Sequence, residues 1–187
     1  MEKLHDFFCG VGFSGTTLTQ ILDCFSVKEF AKNDYFCEEG KTSRYLGFIE
    51  SGAFQYFTLF DGEELTTYIS TENTFVGSLL SYINECPARE YIRAITDAKL
   101  WVIHKTDMNR LLATIPSFAN FYIQLLEGQI CCIDNSRLNY ITLNAEQRYE
   151  KMMEENPELL LHVPLQYLAS MLGVTPRHLS RIRKNVR

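Results

Sequence analysis

The sequence predicts an α+β protein with a jelly-roll-like antiparallel β-roll first, then one long helix, then a C-terminal helix-turn-helix domain. Three observations predict this order. Aromatic and β-branched segments separated by glycine turns fill residues 27–103. An apolar helical stretch covers residues 117–139, and two short helical repeats flank Gly173. Because 46% of the 187 residues are hydrophobic, a sizeable core is expected.

The first predicted element is a short amphipathic helix over residues 17–25. Leu18, Ile21, Leu22 and Phe25 fall on one stripe of that helix. This stripe is expected to pack on whatever follows.

The roll is predicted from short strands at regular spacing with no helices between them. The Asp61-Gly62 pair lies between two of these strands and is a strong hairpin signal. The predicted strands are residues 27–31, 45–49, 54–60, 65–69, 91–95 and 99–103.

After a short helix over residues 107–113, Pro116 interrupts and a long helix is predicted over residues 117–139. Its first half is apolar on more than one face, which requires two partners. We expect one face to lie on the roll and the other to meet the same helix of a second copy of the chain. The predicted dimer stripe consists of Phe121, Leu125, Gly128 and Cys132. The alternative is a helix wholly buried within its own domain.

The next helix is predicted to begin at Asn144, which offers an N-cap, with Gln147 at the capping-box position. It should end before Asn156-Pro157. The predicted domains are therefore residues 1–140, the roll with its dimerisation helix, and residues 141–187.

The last twenty-five residues predict two short helices joined by a tight turn. Pro164 suits a first helical turn, and Gly173 suits a left-handed helix end. Thr175 offers an N-cap hydroxyl, and Pro176 suits the first position of a second helix. Ala169 is small enough for the two helices to cross closely. This is the pattern of a helix-turn-helix.

Charge separates the two predicted domains. The net charge is −5, yet residues 141–187 hold seven Lys or Arg and five Asp or Glu, so the preceding part carries −7 and is mildly acidic. A basic second helix over residues 176–184 suits the major groove of double-stranded DNA. The expected DNA-binding residues are Thr175, Arg177, His178, Ser180, Arg181, Arg183 and Lys184.

Other classes of function lack their motifs. No apolar run is long enough to span a bilayer and no cleavable leader is recognisable, so no membrane contact and a cytoplasmic location are expected. The six cysteines contain no C-x-x-C pair, which argues against disulfides and against a metal site. No nucleophile elbow, phosphate loop or clustered histidines are present, so neither enzymatic activity nor a cofactor is expected.

Residues 10–15 (GVGFSG) do satisfy G-x-G-x-x-G, with Asp34 at the distance of a ribose-binding acid. A dinucleotide site needs a strand before the glycines and a βαβ unit around them. Strands without helices follow instead, so an N-terminal loop is predicted here.

Three segments resemble the Crp/Fnr family of bacterial transcription regulators. The segment LQYLASMLGVTPRHLSRIRK is similar to the DNA-reading element of the Bacteroidetes-type branch of that family. YFCEEGKTSRYLGFIESGAF and RAITDAKLWVI resemble its cyclic-nucleotide-binding-like domain. The order of the predicted elements agrees with the family over essentially the whole chain.

The resemblance implies a homodimer that binds a palindromic DNA site, with half-sites roughly 34 Å apart, and RNA polymerase as a further partner. It implies that Arg181 reads a base edge, with Arg177 as the next candidate, because Arg can donate two hydrogen bonds to guanine. Thr175, His178, Ser180 and Lys184 are then expected to contact phosphates.

The resemblance also marks a departure in the expected effector pocket, formed by Gly77, Ser78, Ala88 and Arg89. Members that bind cyclic nucleotides have Glu after the glycine for the ribose, and an Arg-Ser or Arg-Thr pair for the phosphate. Here Ser78 follows Gly77, Arg89 is out of register, and Glu90 would repel an anion. We therefore predict that cyclic AMP does not bind, which leaves an unknown small-molecule effector or none.

Two alternatives to a DNA-binding regulator remain at this point. One is a small-molecule-binding module whose C-terminal helices bind a protein partner. The other is a cupin-like enzyme, which would need a bound metal.

Overall fold

The computed structural model describes residues 1–186, and Arg187 lies outside the described residues. The helices are α1 (Glu2–Gly10), α2 (Gly15–Leu22), α3 (Leu79–Asn84), α4 (Lys105–Thr114), α5 (Pro116–Thr142), α6 (Ala145–Glu155), α7 (Pro157–His162), α8 (Leu165–Met171) and α9 (Pro176–Asn185). The strands are β1 (Phe25–Phe30), β2 (Tyr35–Cys37), β3 (Tyr45–Ser51), β4 (Phe54–Phe60), β5 (Glu63–Ser70), β6 (Phe75–Val76), β7 (Tyr91–Ala94) and β8 (Ala98–His104).

The strands form two four-stranded sheets, in the orders β1-β8-β3-β6 and β2-β7-β4-β5. The strand pairs in both are antiparallel. Large apolar side chains such as Phe48, Phe54 and Leu100 are fully buried within this roll. The predicted fold class, an antiparallel roll followed by a long helix and C-terminal helices, is confirmed.

The Asp61-Gly62 hairpin joins β4 to β5 as predicted. Both residues have positive φ, +50° and +82°, which is the conformation that a two-residue hairpin turn requires. The register follows the turn as far as Phe57 opposite Thr66. A bulge at Thr67 then shifts the pairing, so that Tyr56 lies opposite Tyr68.

The N-terminus departs from the prediction. The predicted loop is present at residues 11–14, but it joins two helices, because α1 ends at Gly10 and α2 begins at Gly15. The predicted helix over residues 17–25 is wrong at its end, since Phe25 already pairs with Ile103 in the sheet. Aromatic side chains of α1 explain this arrangement: Phe8 packs against Phe118 and other rings of α5, which fixes α1 on the long helix.

Four further short elements were missed. β2, β6, α3 and α7 have two to six residues each, too few for a period of 2 or 3.6 to show in the sequence. The expectation that no helix interrupts the strands was wrong, because α3 lies between β6 and β7.

Helix α5 begins with Pro116 at its first turn and continues to Thr142. Phe118 and Tyr122 are buried under the roll and the N-terminal helices. Two residues of the predicted dimer stripe, Phe121 and Leu125, pack against this same core, so that part of the prediction is corrected. The helix turns a different apolar stripe outward.

The C-terminal helices begin with the predicted capping box. The Asn144 side chain accepts from the Gln147 backbone N–H, and the Gln147 side chain accepts from the Asn144 backbone N–H. α6 ends at Glu155, as predicted from Asn156-Pro157. The core beneath these helices also includes Ala53, Ile69 and Ile95 of the roll, so the two parts of the chain share apolar contacts.

Candidate functional site: a basic helix and a cavity beside the long helix

The turn between α8 and α9 follows the caps that the sequence predicts. Gly173 has φ +69°, Val174 N donates to Ala169 O, and Gly173 N donates to Ser170 O. This pair of hydrogen bonds is the Schellman motif, which ends a helix through a left-handed residue. Thr175 Oγ1 then accepts from His178 N and caps α9. The direction of α9 is therefore fixed by local chemistry.

Helix α9 has one buried face and one basic face. Leu179 and Ile182 are buried against the other C-terminal helices. Arg177, Arg181 and Lys184 are exposed and lie at i, i+4 and i+7, which places them on one stripe opposite the buried pair. Among the described residues, no acid forms an ion pair with these three cations.

The other residues predicted for this surface occupy its edges. His178 is exposed, whereas Ser180 and Arg183 are half-buried. The Ser180 hydroxyl donates to Pro176 O, and Thr175 Oγ1 is engaged in the helix cap. The basic stripe therefore consists of Arg177, Arg181 and Lys184, with the other four residues around it.

A cavity of about 640 Å³ lies between the roll and α5. Its walls come from β3, β4, β5, β6, the start of α3 and the inner face of α5. Apolar residues make up much of the lining: Leu46, Leu65, Phe75, Leu79, Leu80, Leu125, Leu126 and Ile133. Four tyrosines also line it: Tyr56, Tyr68, Tyr122 and Tyr140.

The structure separates the four residues predicted for an effector pocket. Gly77 lines the cavity, and its backbone N–H donates to the Tyr56 hydroxyl at 3.0 Å. Ser78 is buried and donates to Glu90 at 2.8 Å. Ala88 is buried in a core of the roll, and Arg89 is exposed outside the cavity. The assignment of Arg89 to the effector pocket is therefore corrected, because its neighbour Glu90 lines the cavity instead.

Burial shapes the ionisation of the cavity groups. It raises the pKa of Glu90 above its ordinary value, and the Ser78 hydrogen bond offsets only part of that rise. Burial, with Cys132 beside the ring, raises the pKa of Tyr68 to about 12. Tyr68 therefore stays neutral at physiological pH.

The cavity wall contacts the C-terminal helices at two places. Thr66 lines the cavity, and its backbone N–H donates to Ser170 Oγ of α8 at 3.0 Å. Tyr140 lines the cavity from α5, and its hydroxyl lies so close to Gly173 that a Cβ there would be 2.6 Å from it. The Arg148 guanidinium lies over the Tyr140 ring, 4.7 Å from its centroid, and donates to Leu172 O. The cavity lining thus contacts α8 through the Ser170 side chain and the α8–α9 turn through the Tyr140 side chain.

Within residues 1–186, no cluster of three or more His, Cys, Asp or Glu side chains could hold a metal ion. None of the helices described there is both long and apolar enough to cross a membrane.

Comparison with known proteins places this geometry in a wider group. Residues 27–115 match the model of the cyclic nucleotide-binding domain family. That match covers the roll from β1 to the start of α5. No curated protein matches the chain in sequence.

Solved structures of bacterial regulators share the fold over most of the chain. FixK2 from Bradyrhizobium japonicum aligns with a TM-score of 0.75 at 15% identity, covering 87% of this chain and 84% of its own. The c-di-GMP-responsive global regulator CLP of Xanthomonas campestris aligns with a TM-score of 0.69 at 18% identity, covering 91% and 90%. A protein from Eubacterium rectale described as a Crp/Fnr-family transcriptional regulator gives 0.70 at 17% identity, covering 96% and 87%. The roll, long helix and C-terminal helices thus form a Crp-like fold.

Proposed function

We propose that this protein is a DNA-binding transcription regulator of the Crp/Fnr type, and not an enzyme. The observation that carries the proposal is the unpaired basic stripe Arg177, Arg181 and Lys184, opposite the buried face of α9. The Crp-like fold of the neighbouring structures supports it.

The stripe has the dimensions that a major groove accepts. Seven residues of α-helix rise about 10 Å, and the groove is about 12 Å wide. Arg181, at the middle of the stripe, is the proposed base-reading residue, since a guanidinium can fork two donors to guanine N7 and O6. Arg177 is the second candidate. Lys184 and the residues at the edges of the stripe are proposed to contact phosphates, which position the helix without reading sequence.

The proposed functional unit is a homodimer formed through α5. Exposed isoleucines lie along α5: Ile123, Ile130, Ile133 and Ile141. The first three follow the seven- and three-residue steps of a coiled-coil seam, and Ile133 lies at the edge where this seam meets the cavity that it also lines. We propose this stripe in place of Phe121 and Leu125, because those two side chains already pack within their own chain. Gly128, which is exposed, and Cys132, which lines the cavity, lie off this seam.

Placing one charged side chain in the seam tests whether it is the dimer interface. Ile130→Glu would place a carboxylate at its centre, and sedimentation velocity should then show a monomer where the unchanged chain sediments as a dimer. Gln124→Glu is the matched control, because Gln124 is exposed and lies about a quarter turn around the helix from Ile123, off the seam. A dimeric Ile130→Glu variant would rule out this interface.

The cavity is proposed as a sensor site for a small-molecule effector other than cyclic AMP. Its contacts with the C-terminal helices through Thr66 and Tyr140 offer a route by which an occupant could shift α9. RNA polymerase is the further partner that a regulator of this type implies.

The test is selection of genomic DNA fragments by the purified full chain, with and without a small-molecule extract of cells. Enrichment of a palindromic sequence is expected, with half-sites roughly 34 Å apart. If no duplex is enriched while small molecules raise the melting temperature of the protein, the alternative of a ligand-binding module with a protein partner replaces this proposal. Bound metal found by elemental analysis would instead favour a cupin-like enzyme.

A further inference from the structure

The cavity between the roll and α5 carries a negative group where a phosphate site would need a positive one. Glu90 lines the wall, and the hydroxyl of Ser78, which is 1% exposed, donates to its Oε1 at 2.8 Å. Among the described residues, no cation forms an ion pair with Glu90. The carboxyl group is thus held in place by a neutral donor and keeps acceptor capacity for a ligand.

The one basic side chain in the described lining does not compensate for Glu90. Arg137 lies toward the end of α5, and its side chain is 64% exposed. It is already paired with Asp134, one turn earlier on the same helix, at 2.8 Å. An anion entering the cavity would therefore lose its water and face Glu90 with no free cation nearby, which is costly.

The remaining walls suit an apolar body. Eight aliphatic or phenylalanine side chains and four tyrosine rings surround the space. A volume of about 640 Å³ falls within the range that holds ligands of drug size. Most of a ligand of that size would be removed from water by contacts with apolar atoms.

We propose that this cavity binds a mostly apolar small molecule that carries an amine, with the nitrogen donating to Glu90 and no phosphate or carboxylate on the ligand. The inference rests on the proposed function, in which the cavity is the sensor site. It differs from a cyclic-nucleotide site in the sign of the charge that recognises the ligand.

Three probes with the same ring system test the charge preference. 9-(Aminomethyl)anthracene is a cation at neutral pH, 9-anthracenemethanol is neutral, and 9-anthracenecarboxylate is an anion. Titrated into the full chain by calorimetry, they should bind in that order of decreasing affinity. Cyclic AMP, used as a fourth ligand, should show no heat of binding. Tightest binding by the carboxylate or by cyclic AMP would overturn the inference.

Glu90→Gln tests the residue itself. This variant keeps the shape and an acceptor for Ser78, and it removes the charge. It should weaken the amine probe by roughly 10- to 100-fold, which is the strength of a hydrogen bond to a charged group, and it should improve binding of the carboxylate probe. Arg89→Ala is the matched control, because Arg89 is the exposed neighbour outside the cavity and its loss should change neither probe. Unchanged amine binding by a folded Glu90→Gln variant would refute the assignment.

The failure of this inference can be told apart from failure of the proposed function. DNA affinity is measured on the same samples with the enriched duplex. A chain that binds the duplex but shows no preference for the amine probe would overturn the ligand assignment alone. A chain that prefers the amine probe and shows no affinity for any duplex supports the ligand assignment and overturns the proposed DNA-binding role.

Discussion

The cavity and the outer face of α9 hold opposite charges in opposite surroundings. The cavity encloses one acid within apolar walls, whereas α9 presents three unpaired cations to solvent. The α9 face depends on contacts within about a dozen residues: a Schellman turn, a threonine cap and two buried anchors. The cavity depends on side chains brought together from residues as far apart as Leu46 and Tyr140. Because the α9 face is formed by neighbouring residues, a substitution there can alter it and leave the cavity unchanged. A substitution in the cavity lining can likewise leave the α9 face unchanged.

The largest expected effect comes from Leu179→Ala, which removes a fully buried side chain beneath the basic stripe. Truncating a buried leucine costs about 2–5 kcal/mol of unfolding free energy, because a cavity is left behind. Trp101, the single tryptophan, lies in β8 and reports on the roll, while circular dichroism at 222 nm reports mainly on the helices. Helices α6–α9 contribute part of that dichroism, and we expect this part to be lost at a lower urea concentration than the fluorescence change.

Leu161→Ala is the control for this experiment, because Leu161 lies on α7 and is 79% exposed. Its loss should change the unfolding free energy reported by either probe by less than about 0.5 kcal/mol. If Leu179→Ala shifts both probes equally, the shared core at Ala53, Ile69 and Ile95 couples the two regions into one unfolding unit. The α9 face and the roll would then unfold together.

The same difference explains which features sequence reasoning found. Gly173, Thr175 and Asn144 act through hydrogen bonds to residues within five positions, so their roles were visible in the sequence. The hairpin register was predictable only up to the bulge at Thr67, beyond which Tyr68 faces Tyr56. No sequence signal marks that extra residue, and so the tyrosine wall of the cavity was missed.

At the cavity and on α5, the sequence did not show which side chains face inward. Arg89 was expected to line the effector pocket, but Glu90 lines the cavity and Arg89 is exposed. Both residues lie in a bend before β7, where no strand alternation shows in the sequence which side chain turns inward. On α5, a helix apolar on several faces does not reveal which face the roll takes. Phe121 is drawn inward by the rings of Phe7 and Phe8 on α1, which the sequence analysis did not predict as a helix. Leu125 packs against the same core and lines the cavity.

The second prediction concerns base reading by the exposed surface. Arg181→Ala should lower affinity for the enriched duplex by about 1–3 kcal/mol and relax the preference at one base position. Lys184→Ala should weaken all duplexes alike and reduce the slope of log affinity against log salt by about 0.9. Fluorescence anisotropy at several salt concentrations separates the two effects. Arg89→Ala, an exposed arginine of the roll, serves as control. If Arg181→Ala binds every sequence as the unchanged chain does, Arg181 does not read bases.

A third, smaller effect tests where the two regions meet. Gly173→Ala forces an L-residue into the left-handed conformation, which costs about 1–2 kcal/mol, and also brings its Cβ to 2.6 Å from the Tyr140 hydroxyl. The unfolding free energy measured in urea should therefore be lower for Gly173→Ala than for the unchanged chain. Adding Tyr140→Phe should restore the steric part and leave the backbone strain. Gly128→Ala is the matched control, because its Cβ would meet nothing within 4 Å, and it should stabilise α5 by up to about 1 kcal/mol. If adding Tyr140→Phe recovers none of the stability lost in Gly173→Ala, the contact with Tyr140 is unimportant.

The smallest expected effect is the pH dependence that Glu90 confers, because its side chain is only partly buried and water screens it. Burial raises its pKa above the ordinary value of 4.5, so the folded chain binds the proton more tightly than the unfolded chain does. Stability from this source is therefore fully present below about pH 4.5 and is lost as pH rises through the raised pKa. Glu90→Gln has no such proton, and groups that titrate in both proteins cancel in the difference. The unfolding free energy of Glu90→Gln minus that of the unchanged chain should increase from pH 4 to pH 7 in urea titrations. A difference that is constant or falls over that range would show that the carboxyl is solvated as in water, and the charge contrast between the cavity and α9 would lose its physical basis.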